Sequence, residues 1–300
     1  MSAPFVSSPI TGTNGALIKS YPVSPLVEKW KKQLSIDVSD EFNGFHEFHL
    51  YECAETGLRF FRPESLTGSA NLYAKLEKHA WYYTPRRWEH AMALKDIRKC
   101  HSVLEVGCGH GEFVKDAIAE GHTAVGLETN PVAAAKMKAE GIPCIESSIE
   151  AMPTSKNGTV DCLCAFQLLE HLPDPLSFFH NALRLLRTGG LLLVCVPNRL
   201  SFLRYIDNIL DLPPHHMLQW TERSFRSLEK HLPLKVIRCR FEPLAAVHVS
   251  GFLESTRSRI ATNCGARTAA FLSLPIKVLL KIGFRRLCTG QSLYVLLQKL

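Results

Sequence analysis

Three groups of residues have the types and spacing to do chemistry. The stretch SVLEVGCGHGEF (102–113) places Gly107, Gly109 and Gly111 in alternation behind a short apolar run, with Glu105 just upstream. Glycines so spaced after a strand let the backbone approach a ligand closely. Two phosphate-binding readings fail on the residues themselves. No Lys-Ser or Lys-Thr pair follows the glycines, as a P-loop requires. Counting a dinucleotide fingerprint from Gly107 puts Glu112 at its third glycine, where a carboxylate would oppose a pyrophosphate. The second group is Glu128 in GLETN, nineteen residues beyond Gly109 and at the end of the next apolar run. A carboxylate there can accept hydrogen bonds from both hydroxyls of a ribose. The third is histidine: His171 in LEHLPDP, and His215 and His216 in PPHHMLQWTERSF. Imidazole is the natural base at neutral pH, and two prolines stiffen the approach to the second pair.

These groups need a scaffold, and the chain alternates strand and helix patterns from residue 102 onward. SVLEV, TAVGLE, PCIES, VDCLCAF and LLLVCVP read as strands. EFVKDAIAEG, NPVAAAKMKAEG and PLSFFHNALRLLRTGG read as the helices between them, with Pro131 near one start and Gly141 at its end. Such an order implies a parallel sheet covered on both faces, with ligands at the strands' carboxyl ends. LKVIRCRF (234–241) and SLYVLLQKL (292–300) supply two further strands around a long insertion. Upstream, SPLVEKWKKQLS predicts a helix, FHEFHLYECAETGLRFFRPE a hairpin turning at Glu55–Gly57, and residues 69–98 helix broken near Thr84–Pro85.

Composition narrows the class. An apolar fraction of 46% with 21% charged residues suits a soluble domain, and no run reaches the ~20 apolar residues of a membrane span. The N-terminus lacks a charged start followed by an apolar core, so no secretory leader is expected. Ten cysteines without a CxxC pair are expected to be reduced thiols of a cytoplasmic protein. The net charge of +7 arises entirely in residues 251–300, so global charge gives little support for a nucleic-acid binder.

With those residues in view, VLEVGCGHGEF resembles the first motif of class I S-adenosylmethionine-dependent methyltransferases, and FQLLEHLPDP (166–175) resembles their fourth. LLRTGGLLLVCVPN resembles their fifth strand, and AWYYTPRRWEHAMAL and PPHH…W resemble segments of a bacterial subgroup acting on glycans and other small metabolites. The resemblance covers about residues 69–235. It implies an α/β, Rossmann-like, seven-stranded and mostly parallel sheet with helices on both faces. It adds an N-terminal extension (1–62) and a helical insertion before the last strand. The methyltransferase domain would be 63–300, with its cofactor core at 100–200 and substrate-side segments at 200–233 and 242–290.

The resemblance further implies S-adenosylmethionine as cofactor, held by Glu105, Gly107, Cys108, Gly109, Glu128 and Gln167, with Tyr82 or Tyr83 over the sulfonium. After the third strand, Ser148 stands where the family carries an adenine-binding Asp, a departure, and Ile149 offers its backbone to the ring. His171, His215 and His216 are the candidate bases. In some relatives Glu-x-x-Glu-His binds a metal at the fourth motif; Gln167 replaces the first Glu here, so no metal is expected. Cys53 sits in a segment similar to half a zinc ribbon, but Thr56 replaces the second Cys, and no zinc is expected there either. The expected activity is O-methylation of a glycan, lipid-linked or other small-metabolite hydroxyl. An inert methyltransferase-like binding module and a protein or nucleic-acid methyltransferase stay open as alternatives. LPIKVLLKIGFRRL (274–287) spaces Lys277, Lys281 and Arg285 along a helix with Ile276, Leu279, Leu280 and Phe284. That pattern fits a cover over the sheet or a peripheral contact with an anionic membrane.

Overall fold

Alternation of side chains along strand β4 (Ser102–Val106) sets the frame of the site. Leu104 and Val106 point to one apolar layer, while Val103 belongs to the other. Glu105, on the Val103 side, is therefore carried into the interior at 4% exposure. The computed structural model describes residues 5–79, 81–82, 87–206, 208–265 and 275–300.

Following β4 come α4 (Glu112–Ala119), β5 (Thr123–Glu128), α5 (Pro131–Ala139) and β6 (Cys144–Glu146). The chain then crosses to β7 (Val160–Phe166), α6 (Pro175–Leu185) and β8 (Leu186–Pro197). Two more strands, β10 (Leu234–Pro243) and β11 (Thr289–Lys299), complete a seven-stranded sheet in the order β10-β11-β8-β7-β4-β5-β6. Strands β4 to β8 run parallel, and β11 is antiparallel to both its neighbours. The order reverses between β4 and β7, so a crevice opens at their carboxyl ends. This is the seven-stranded, Rossmann-like fold that the motifs imply. The boundaries agree closely except at α6, which stops at Leu185; Leu186 is already extended, and the RTGG segment belongs to β8 rather than to the helix.

Local chemistry explains the joins. Asn130 caps α5 by accepting the Val132 N–H, and Asp174 caps α6 by accepting from Ser177, each with proline in the first turn. Asp161, at the start of β7, accepts the N–H groups of His101 (2.7 Å) and Ser102 (2.9 Å) and pairs with Arg187. It thereby ties the beginnings of β4, β7 and β8 together.

The N-terminal segment forms a second, antiparallel sheet: β1 (Gly15–Pro22), β2 (Glu47–Cys53) and β3 (Arg59–Arg62), with α1 (Val23–Leu34) beside it. β2 and β3 are the expected hairpin. Strand β1 escapes the sequence reading because most of its residues are exposed and no buried face marks it. Its fourth strand, β9 (Leu218–Gln219), comes from the PPHH segment and pairs Leu218 with Phe60. Trp30, Phe42, Phe48 and Phe60 share one apolar cluster with Leu104, Leu163 and Val194 of the larger sheet. Next come α2 (Ala70–Leu76) and α3 (Trp88–Asp96); the expected break at Thr84–Pro85 and the candidate Tyr83 lie outside the described residues. After β9, Thr221 caps α7 (Glu222–Ser227) as TERS suggests. The insertion before β11 contains α8 (Val249–Cys264) and a helical segment at 275–281, whereas residue 274 lies outside the described residues. All ten cysteines are free, with Cys162, Cys164 and Cys195 wholly buried in the sheet.

Candidate active site

A cavity of about 1730 Å³ opens at the carboxyl ends of β4, β5, β7 and β8. On one side lies the glycine turn. Gly107, Gly109 and Gly111 all have positive φ (70°, 54° and 74°), a conformation that favours glycine. A Cβ on Gly107 would lie 2.9 Å from Leu168 Cδ1, and one on Gly111 2.4 Å from Met137 Cε. Gly111 thus serves close packing of α4 on α5, while Gly107 and Gly109 line the cavity. Cys108 also lines it, but its thiol packs under β5 against Gly126 and Met137, leaving its backbone as the available part.

Glu128 closes this side. One carboxylate oxygen accepts the Gly109 N–H at 2.7 Å and the other the Asn130 N–H at 2.8 Å. The carboxylate therefore shapes the turn and lines the cavity, with acceptor capacity beyond these two bonds. Glu105 stands behind the glycines with Oε2 buried and, among the described residues, without a partner. Burial, with Glu128 nearby, pushes its carboxyl well above the usual range, although Arg87 works the other way. An ammonium group is the ligand end that would satisfy that oxygen. Gln167, at φ 52°, donates from its side chain to Glu89 at 3.3 Å on the cavity wall. Over the turn, Glu77 accepts from His110 at 2.7 Å and approaches Asn130.

Across the cavity the three candidate histidines come together, although His171 is 44 residues from His215 in the chain. Their ring centroids are 4.7 Å (His171–His215), 4.9 Å (His171–His216) and 4.4 Å (His215–His216) apart. Each Nδ1–H has an acceptor. His171 donates to the His215 carbonyl at 2.6 Å, His215 to the Leu210 carbonyl at 2.8 Å, and His216 to Asp211 Oδ1 at 3.3 Å. Burial is the first cause that lowers the pKa of His171, to about 3, and that of His215 well below the ordinary imidazole value. The neighbouring His216 adds to both shifts. Tyr82 joins this group, its hydroxyl donating to His215 Nε2 at 3.2 Å. Glu170 lies beside it, wholly buried with Oε2 unpartnered, and burial raises its pKa to about 7.

The PPHH loop is held by its neighbours as well as by its own residues, His215 and His216 both donating their backbone N–H to the Leu212 carbonyl. The Glu170 carbonyl accepts from Met217 (2.7 Å) and Leu218 (3.0 Å), and Phe61 N–H donates to the Met217 carbonyl at 2.9 Å. The small N-terminal sheet thus aims His215 and His216 into the cavity. Two expected residues stay out of it: Ser148 and Ile149 are not among the lining residues. Ile149 is packed in the core instead, because the segment after β6 turns back toward α6, where Arg184 donates to its carbonyl. Sequence reading missed Tyr73, Glu89, His90 and Asp211, which also line the cavity. Glu89 and His90 hide within an ordinary helix pattern; burial raises the first carboxyl's pKa and lowers the imidazole's to about 4. The one available signal was their position just before the glycine motif.

Comparison with known proteins gives the family. The family model described as "Methyltransferase domain" matches residues 79–238, more than half of the 300-residue chain. A "Probable S-adenosylmethionine-dependent methyltransferase" of Mycolicibacterium smegmatis is 31% identical over 144 residues, covering 46% of this chain and 53% of that protein. A "Ubiquinone biosynthesis O-methyltransferase" of Vibrio parahaemolyticus is 31% identical over 121 residues, covering 38% and 52%. The chain thus matches about half the length of these curated relatives. A solved SAM dependent methyltransferase from Archaeoglobus fulgidus aligns with TM-score 0.49 at 18% identity, covering 76% of this chain and all of that one. From the glycine turn at the reversal of the sheet order, and from a family match that spans it, the chain belongs to the methyltransferase-domain family, with the class I fold.

Proposed function

We propose that the chain transfers the methyl group of S-adenosylmethionine to a hydroxyl oxygen of a small-molecule acceptor. The observation that carries this reading is the shared cavity: an acid-backed glycine turn opens on one side and a histidine cluster on the other. The unpartnered Glu105 oxygen suits the donor's ammonium end, and Glu128 suits its ribose. Bound there, the donor would supply an activated methyl carbon to the acceptor oxygen, with its sulfur as the leaving group. The protein's part is alignment and proton removal. With Nδ1 of His171 and His216 engaged, and His215 Nε2 accepting from Tyr82, Nε2 of His171 or His216 is the acceptor atom to which the hydroxyl proton passes. Asp211 behind His216, and the Glu170 carboxylate, offset the positive charge that results. Retention of both donor-side carboxylates favours an enzyme over an inert module. The hydroxyl-directed name of the ubiquinone-pathway relatives supports an oxygen acceptor.

We further propose a glycan or lipid-linked acceptor met at an anionic membrane surface. Val278, Leu279, Ile282, Phe284 and Leu287 are exposed beside Lys277, Lys281, Arg285 and Arg286, whereas only Ile276 and Leu280 pack inward. A helix serving only as a cover would bury Leu279 and Phe284. Among the described residues no helix is long and apolar enough to cross a membrane.

The test combines calorimetric titration of the donor with detection of S-adenosylhomocysteine over a panel of phenolic and sugar acceptors. The unmodified protein should bind donor, and Glu128→Ala should weaken it by ~10-fold or more, the worth of charge-assisted hydrogen bonds. His171→Ala and His215→Ala should each lower turnover by ~10²-fold while leaving donor affinity intact. Absence of donor binding, or an unaltered affinity in Glu128→Ala, overturns the reading.

A further inference from the structure

Three imidazoles in mutual contact inside a protein need a common reason. One ring nitrogen from each of His171, His215 and His216 lies within 4.8 Å of the other two. A tetrahedral zinc-type ion at ~2.0–2.1 Å from each nitrogen needs them ~3.3 Å apart, so small rotations of the side chains would close the set. The outer contacts are those that metal-binding histidines use: Nδ1–H of one ring donates to a carboxylate and those of the other two to backbone carbonyls. Such contacts fix the tautomer and leave Nε2 as the ligand atom. A second, independent observation stands beside the set. Glu170 is 1% exposed and its Oε2 has no partner among the described residues, a buried carboxylate oxygen whose charge only a cation or a proton can settle. His171 Nε2 lies 4.0 Å from the other oxygen of that carboxylate.

We propose that His171, His215 and His216 form a binding site for one divalent transition-metal ion of the zinc class, with Glu170 as the adjoining negative charge. The all-imidazole set distinguishes it from a magnesium site, which takes oxygen ligands. Ligation replaces the hydrogen bond that His215 Nε2 accepts from Tyr82. Resting on the methyl-transfer reading, the ion would take over from the bare rings the task of acidifying the acceptor hydroxyl. The binding itself does not depend on that reading.

The experiment uses the full chain, stripped with chelator and titrated with zinc and with cobalt(II) alone, with metal content read by mass spectrometry. One ion per chain is expected, with a cobalt spectrum of nitrogen and oxygen ligation. His171→Ala and His216→Ala should each lose at least ~10-fold in affinity, and Asp211→Asn ~10-fold through its hold on His216. Should an alanine variant fold poorly, the cobalt spectrum of the unmodified chain still decides. A thiolate charge-transfer band would place the ion on cysteine and overturn the proposal, as would substoichiometric uptake or affinities indifferent to the histidines. Donor binding, measured in parallel on the stripped chain, separates the two readings. Metal uptake without donor binding sinks only the methyl-transfer reading, and donor binding without metal uptake sinks only this one.

Discussion

Glu105 and Glu170 are carboxylates that the fold buries with one oxygen apiece left without a partner. An uncompensated buried acid destabilises the protein that carries it, and such a group is retained where a ligand uses it. For Glu105 the consequences have definite signs. Its pKa is raised in the folded chain, so over the interval above the ordinary carboxylate value the folded state holds a proton that the unfolded state has lost. Stability therefore falls as pH rises through that interval, and Glu105→Gln should lessen the slope, while the raised carboxyls of Glu170 and Glu89 keep their own shares of it. That variant should melt at a higher temperature at neutral pH yet bind donor more weakly. A cationic ligand group at Oε2 reverses the shift, so donor binding to the unmodified protein should release a proton. Calorimetry in buffers of different ionisation enthalpy measures that release. An absence of proton release, or a lower melting temperature in Glu105→Gln, would contradict this role for Glu105.

At the scale of elements, the site rests on how strand ends are tied. Asp161 accepts two backbone N–H groups at the start of β4 and pairs with Arg187 at the start of β8. Those bonds hold its carboxyl well below the usual range, the Ser102 N–H contributing first. A depressed carboxylate stabilises the fold above its unfolded value of ~3.9 and loses that contribution as pH falls toward its folded value. Asp161→Asn should therefore cost ~1–3 kcal/mol at pH 7, with the gap to the unmodified chain closing on acidification below about 4. Thermal melts across pH measure it, and donor affinity, which depends on the opposite end of the strands, should not change. The strands of this region are legible because each couples an apolar run to a glycine or proline boundary. Strand β9 is not legible, since two residues carry no periodicity and its pairing depends on Phe60 and Arg59 from 158 to 160 positions upstream.

At the scale of the whole molecule, charge is unevenly placed. The positive excess belongs to the last fifty residues, where Ile282 (68% exposed) and Leu287 (81%) stand beside Lys281 and Arg286. Vesicles containing phosphatidylserine should carry the protein in flotation at low salt. Each cation contributes ~1 kcal/mol near such a surface, so replacing Lys277, Lys281, Arg285 and Arg286 by Gln should abolish the binding. High salt should do the same, because it shortens the screening length. Equal binding to neutral vesicles would argue for a purely apolar contact, and no binding to either would remove the membrane from the acceptor's description.

The amino-acid sequence by itself determined the parallel sheet, the glycine turn and the carboxylates that flank it, because these depend on local periodicity and on residues a short distance apart. It also singled out His171, His215 and His216, each from its own short segment. Their union into one cluster was decided only by tertiary structure. His215 and His216 are aimed by a loop stitched to Glu170 on one side and to the N-terminal sheet on the other. The same long-range packing drew Ile149 into the core, away from the cavity, and brought Glu89, His90 and Asp211 to its walls. Contacts between distant segments leave no period in the chain, which is why the SVLEVGCGHGEF turn could be read from its letters and the histidine cluster could not.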